Sequence, residues 1–101
     1  MGKQDIKAKI REVIENASFK EDIQRASLFG SYLHGDAKED SDVDVLVEFT
    51  SDSHVGLFKY FEIQSAIEKR IRKKVDLLTP EALSKFFRNE VIKEAELIYE
   101  K

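Results

Sequence analysis

The chain has 101 residues, a net charge of −3, no cysteine and a hydrophobic share of 42%. This length predicts one domain over residues 1–101, and the absence of cysteine excludes disulfides and thiolate zinc sites. The negative net charge argues against strong nucleic-acid binding, and the lack of a signal-like segment or a membrane-length apolar run predicts a cytoplasmic protein without membrane contact.

The first half of the chain predicts helices alternating with strands. Apolar residues recur at helical spacing over 4–17, which predicts an amphipathic helix. An apolar run predicts a strand over 23–29, and a short helix is expected over 31–33, ended by Gly35. Strict alternation predicts the second strand over 43–49.

The second half predicts a helix, a strand and a terminal helix. The helix is expected over 56–72, with Phe58 and Phe61 widening its core-facing stripe. A strand follows over 75–78, and a last helix begins at Thr79 and carries an apolar stripe to the C-terminus. This order indicates an α/β fold in which helices pack against a small sheet.

Two surface features allow alternative interpretations. A basic cluster follows the second long helix, and it is either a solvated helix end or a patch that faces an acidic partner or nucleotide phosphates. Its members are Arg70, Arg72, Lys73 and Lys74. The C-terminal segment carries more apolar residues than one face of a small sheet needs, so they serve either the core or a protein partner.

A carboxylate pair marks the start of the second strand. Asp42 and Asp44 share one face of the strand, and their Cα atoms lie roughly 6.6 Å apart, at two strand rises. Side chains at that spacing can lean together around metal ions roughly 3.5–4 Å apart, the arrangement of two-metal phosphoryl chemistry. Upstream, Gly30 and Ser31 stand at a strand-to-helix turn whose hydroxyl and backbone N–H groups suit a phosphate.

Gly30-Ser31, ten intervening residues and Asp42-Val43-Asp44 together resemble the signature of the polymerase-β-type nucleotidyltransferase superfamily. The short chain resembles the minimal nucleotidyltransferase (MNT) members, often antitoxins of HEPN/MNT toxin–antitoxin pairs. The resemblance implies a palm-like fold with a small mixed sheet, in which Asp76 lies beside the Asp42/Asp44 strand. It further implies that Asp42, Asp44 and Asp76 are catalytic and bind two Mg²⁺ ions, and that Gly30, Ser31, Asp42 and Asp44 bind ATP.

The resemblance also implies the acceptor. An MNT antitoxin transfers AMP to a tyrosine of a helical HEPN toxin, so we expect such a partner here. Two alternatives stay open: a non-catalytic module that neutralises its partner by occlusion, and one subunit of a small-molecule nucleotidyltransferase. His34 stands where the family commonly has an arginine, and is a surface residue, a weaker phosphate contact or a pH-sensitive one.

Overall fold

The structure is a computed structural model that describes residues 2–38 and 40–101. Four strands form one sheet: β1 (Ile23–Phe29), β2 (Val43–Phe49), β3 (Val75–Leu78) and β4 (Glu96–Glu100). The α-helices are α1 (Lys3–Asn16), α2 (Ser31–His34), α3 (Leu57–Ile71) and α4 (Arg88–Glu94), and 3₁₀ turns span Ser18–Asp22 and Pro80–Ala82. Among these described helices, none is long and apolar enough to cross a membrane.

The sheet is mixed and has the strand order β3-β2-β1-β4. β1 runs antiparallel to both β2 and β4, whereas β2 and β3 are parallel. The end of β1 and the starts of β2 and β3 therefore meet at one edge of the sheet, which we call the site edge. The expected α/β fold with a small mixed sheet is confirmed, as are the predicted bounds of β1, β2 and β3.

The hydrophobic core lies between the sheet and the two long helices. Isoleucines at four-residue spacing give α1 and α3 one buried stripe each: Ile6, Ile10 and Ile14 on α1, and Ile63, Ile67 and Ile71 on α3. These stripes belong to the same buried cluster as Val43, Val45 and Val47 of β2. Burial of these side chains is the main favourable term holding β2 in place, because each contributes roughly 1.5–3 kcal/mol.

The C-terminal segment differs from the prediction. Instead of one helix from Thr79 to the end, the chain forms a 3₁₀ turn, the short helix α4 and then β4. Ala95 has an extended ψ of 138° and ends α4. The spacing of apolar residues mimicked a helical period, but the free edge of β1 needs hydrogen-bond partners, and residues 96–100 supply them as an antiparallel strand.

The expected burial of the α3 aromatics is also wrong. Phe58 is 92% exposed and Phe61 is 53% exposed. At 100° per residue, both positions point away from the stripe formed by the α3 isoleucines. The stripe that faces the core is therefore narrower than the sequence pattern indicated, and the first two turns of α3 present aromatic surface to solvent.

Candidate active site

The sheet register brings the predicted carboxylates to the site edge. Asp44 lies in β2, Asp42 immediately precedes that strand, and Asp76 is the second residue of β3. The parallel pairing of β2 with β3 places Asp44 directly opposite Asp76. Two residues that are far apart in sequence thus become neighbours. Asp44 is partly buried, whereas Asp42 and Asp76 are exposed.

The Asp44 carboxylate is the electrostatic centre of this edge. Its partial burial raises its pKa from 3.8 to about 6, and the negative charges of Asp76 and Asp42 act in the same direction. A hydrogen bond from the backbone N–H of Ser31 favours the charged form and offsets part of this rise. Near neutral pH the edge therefore holds crowded negative charge, which a bound cation would relieve.

Gly30 brings the chain against Asp44 where no other residue would fit. Its φ of 80° and ψ of −150° lie in a region that is essentially restricted to glycine. A Cβ atom at this position would stand 2.0 Å from Asp44 Oδ2. The Gly30 carbonyl then accepts hydrogen bonds from the N–H groups of Leu33 and His34, at 3.1 and 3.2 Å, which starts α2. The predicted Gly-Ser turn and the predicted carboxylates are therefore parts of one site.

The chemistry of these residues fits magnesium delivered with a phosphate ligand. Within residues 2–38 and 40–101, no group of three or more His, Cys, Asp or Glu side chains is arranged to hold a metal ion alone. Mg²⁺ commonly binds one or two carboxylates and takes its remaining ligands from water and substrate phosphates. Asp42 and Asp44 can supply that carboxylate share, and the pKa of Asp44 is raised by its burial and by the charges of Asp76 and Asp42, which a bound Mg²⁺ would offset.

A groove beside Asp42 contains most of the basic cluster. Residues Arg72, Lys73 and Lys74 form one wall and Asp40, Ser41 and Asp42 form the other, around a volume of about 420 Å³. The sequence left open whether this cluster is a solvated helix end or a patch facing a ligand. The structure places its last three residues at the site edge, next to a predicted catalytic carboxylate. Sequence reasoning missed this contact because it depends on the parallel pairing of β2 with β3.

His34 is the last residue of α2 and lies next to α4. Its Nε2 atom is 3.5 Å from Glu94 Oε2 of α4, and about half of each side chain is exposed. The histidine therefore lies at the surface beside an acidic residue, in agreement with the first of its three interpretations. Between α2 and α4 lies a small cavity of about 130 Å³, which is lined by Phe29, Gly30, Leu33, His34, Val91 and Glu94.

Comparisons with known proteins agree with this geometry. The family described as polymerase beta, nucleotidyltransferase, matches residues 8–101. The protein adenylyltransferase MntA of Thermococcus cleftensis is 36% identical over 72 residues, which cover 71% of each chain. Both matches extend well beyond the Gly-Ser and Asp-x-Asp motifs.

Solved structures show the same fold. A candidate minimal nucleotidyltransferase superposes with a TM-score of 0.75 and 29% identity, and the match covers 94% of both chains. A second match is to the complex of a tri-AMPylated HEPN toxin with an MNT antitoxin from Shewanella oneidensis. Its TM-score is 0.66 at 19% identity, over 98% of this chain and 73% of that one. At this identity the second likeness shows the fold alone.

Proposed function

We propose that this chain, which belongs to the polymerase β nucleotidyltransferase family, transfers AMP from ATP to a hydroxyl acceptor in a Mg²⁺-dependent reaction. One observation carries the proposal: Asp44 stands opposite Asp76, next to Asp42 and against the backbone of Gly30. This arrangement places a turn suited to phosphate binding next to a carboxylate cluster whose mutual repulsion a bound cation would offset.

Each residue of the site has a role in this reaction. Asp42 and Asp44 hold Mg²⁺, which neutralises phosphate charge when it is bound, and Gly30 and Ser31 contact the triphosphate. The acceptor oxygen attacks the α-phosphorus, the bond to the β-phosphate breaks, and pyrophosphate leaves. Asp76 lies on the neighbouring strand and takes the proton of the acceptor hydroxyl. Positioning and charge neutralisation supply most of the rate.

The proposed acceptor is a tyrosine of a helical HEPN-type toxin, which AMP transfer would silence. The name of the Thermococcus relative and the AMPylated toxin in the Shewanella complex support this choice. Exposed aromatic side chains also support a protein partner, because Phe58 and Phe86 are 92% and 89% exposed. The same exposed surface favours a second candidate function, in which the chain neutralises its partner by occlusion without catalysis.

Label transfer separates these functions. The chain is incubated with Mg²⁺, its co-purified partner and ATP labelled at either the α- or the γ-phosphate. We expect α-label on the partner and no γ-label, and we expect none with an Asp42→Asn/Asp44→Asn variant. Asp52→Asn, in an exposed loop, is the matched control and should label normally. Transfer of γ-label would show phosphorylation instead, and neutralisation without any label would favour occlusion.

A further inference from the structure

The proposed triphosphate needs more positive charge than the Gly-Ser turn provides. The segment between Ser31 and Asp42 contains no arginine. His34, within that segment, lies at the surface beside Glu94. The side chains that the sheet brings to the turn are acidic, namely Asp42, Asp44 and Asp76. A bound metal offsets part of the charge of a triphosphate, but its terminal phosphates still call for cationic side chains.

The turn between α3 and β3 places cations at the site edge. Because β2 and β3 are parallel, the residues before β3 lie beside those before β2. The backbone N–H of Val43 donates to the Lys74 carbonyl at 2.9 Å, which fastens this turn to the start of β2. Lys73 Nζ stands 5.7 Å from the centre of the Tyr32 ring, which ties the same turn to α2. The turn is thus fixed against both elements of the proposed nucleotide site.

The conformation of the turn is defined at both of its ends. Arg72 ends α3 in the left-handed region, with φ 59° and ψ 39°, and its N–H donates to the Glu68 carbonyl at 2.8 Å. The Glu68 carboxylate accepts a hydrogen bond from the N–H of Val75, also at 2.8 Å. Glycine is the usual residue in such a left-handed helix end, so a non-glycine there carries a conformational cost.

The charges of Arg72 and Lys74 are available to a ligand. Both side chains are exposed and line the groove of about 420 Å³ beside Asp42. Neither forms an ion pair within the described ranges 2–38 and 40–101, whereas Arg70, one turn earlier, lies 3.3 Å from Glu12. Arg72 and Lys74 thus differ from Arg70, whose charge is already paired with a carboxylate of α1.

We propose that Arg72 and Lys74 bind the β- and γ-phosphates of the nucleoside triphosphate, in place of an arginine after the Gly-Ser turn. This inference rests on the proposed function, since it assigns further binding residues to the same site. Asp42 lines the same groove, so a polyphosphate bound there lies next to one of the proposed metal ligands. Phosphate oxygens accept the charge-assisted hydrogen bonds that arginine and lysine side chains donate.

The test compares ATP with AMP. Binding of each to the full chain is measured by calorimetry with Mg²⁺ present, for wild type, Arg72→Gln, Lys74→Gln and the double variant. Each single change should weaken ATP binding roughly tenfold, and AMP binding should stay unchanged because AMP lacks the β- and γ-phosphates. Lys69→Gln, an exposed α3 residue outside the groove, is the control and should bind ATP as wild type does.

Other outcomes overturn the inference in distinguishable ways. An equal loss of binding affinity for ATP and for AMP would show that Arg72 and Lys74 do not bind the terminal phosphates. Variants that bind ATP normally but no longer bind the partner would assign the turn to an acidic protein surface. If the double variant binds ATP with unchanged affinity and still transfers label at the wild-type level, this inference is overturned and the proposed function is not. A wild-type chain that binds no ATP would overturn the proposed function as well.

Discussion

The two faces of β2 place opposite demands on the same strand. One face carries Val43, Val45 and Val47, which are buried against α1 and α3. The other carries Asp44, whose pKa rises to about 6 because burial and neighbouring carboxylates disfavour its charge. Burial of the valine face stabilises the fold. That stabilisation offsets the repulsion between Asp44 and its neighbouring carboxylates on the other face. Substitutions on the two faces should therefore separate activity from stability.

The largest effect is expected on the acidic face. Asp44→Asn removes a proposed metal ligand, so label transfer should fall by about 10³-fold. Its thermal stability at pH 7 should not fall, because the substitution removes a carboxylate that its neighbours repel. Glu48→Gln, farther along the same face, serves as the control and should lower the free energy of unfolding by no more than about 1 kcal/mol, since within residues 2–38 and 40–101 Glu48 forms one ion pair, with half-exposed Arg25 at 3.4 Å. An Asp44→Asn protein with near-normal labelling would contradict the assignment.

The core side should show the reverse pattern. Ile10→Ala removes a fully buried side chain of α1, and we expect a loss of roughly 2–5 kcal/mol in the free energy of unfolding. At a temperature where the variant remains folded, its label transfer should be close to that of wild type. Chemical denaturation and a labelling assay on the same sample provide both values. Labelling that falls as sharply as with Asp44→Asn would show that the two faces are not separable.

Gly30→Ala should affect both properties. The added Cβ would stand 2.0 Å from Asp44 Oδ2, at a φ of 80°, so the carboxylate or the turn must move. We expect a loss of roughly 1–3 kcal/mol in stability, together with reduced label transfer. Gly35→Ala is a matched control, because its φ is 77° but nothing lies within 4 Å of its added Cβ. Labelling that falls equally in both variants would show that backbone strain, and not the contact with Asp44, is responsible.

The pH dependence of stability should report on Asp44. Its folded-state pKa of about 6 lies above the ordinary value of 3.8, so the folded protein binds this proton more tightly than the unfolded chain. Stability from this group is therefore full below the ordinary value and is lost as the pH rises through 6. Thermal unfolding should show Asp44→Asn more stable than wild type at pH 7, with the difference shrinking towards pH 4. A difference that grows on acidification would contradict the assigned direction.

The smallest effect is expected at the exposed aromatics. Phe58→Ser alters a side chain that is 92% exposed, so the free energy of unfolding should change by no more than about 0.5 kcal/mol. Denaturant titration checks this value. Ile63→Ala, on the buried stripe of the same helix, should cost roughly 2–5 kcal/mol by comparison. Similar losses in the two variants would mean that Phe58 is buried after all.

Sequence patterns predicted the parts of the fold that are governed by local chemistry. The bounds of β1 followed from an apolar run and those of β2 from strict alternation, β3 was predicted with its observed bounds, and Gly30 marked the turn. The β4 strand was missed because its pairing with β1 joins distant parts of the chain and its apolar spacing resembled a helix. Phe58 was misassigned because apolar type alone does not show which side of a helix faces the core.

The candidate site was predictable to a similar extent. The sequence identified Asp42 and Asp44 from their spacing, and the family resemblance indicated Asp76. The groove walled by Arg72–Lys74 depends on the parallel pairing of β2 with β3, which the composition of the basic cluster could not reveal. The partial burial that raises the pKa of Asp44 likewise follows from tertiary packing.

One measurement tests the central claim most directly: the intact mass of the helical partner after co-expression with wild type or with Asp44→Asn. Fragmentation then locates any added group. The account predicts a partner that carries AMP on tyrosine with wild type and is unmodified with the variant. A partner that is silenced by wild type but carries no AMP would contradict it, and would show that the site edge does not act through nucleotide transfer.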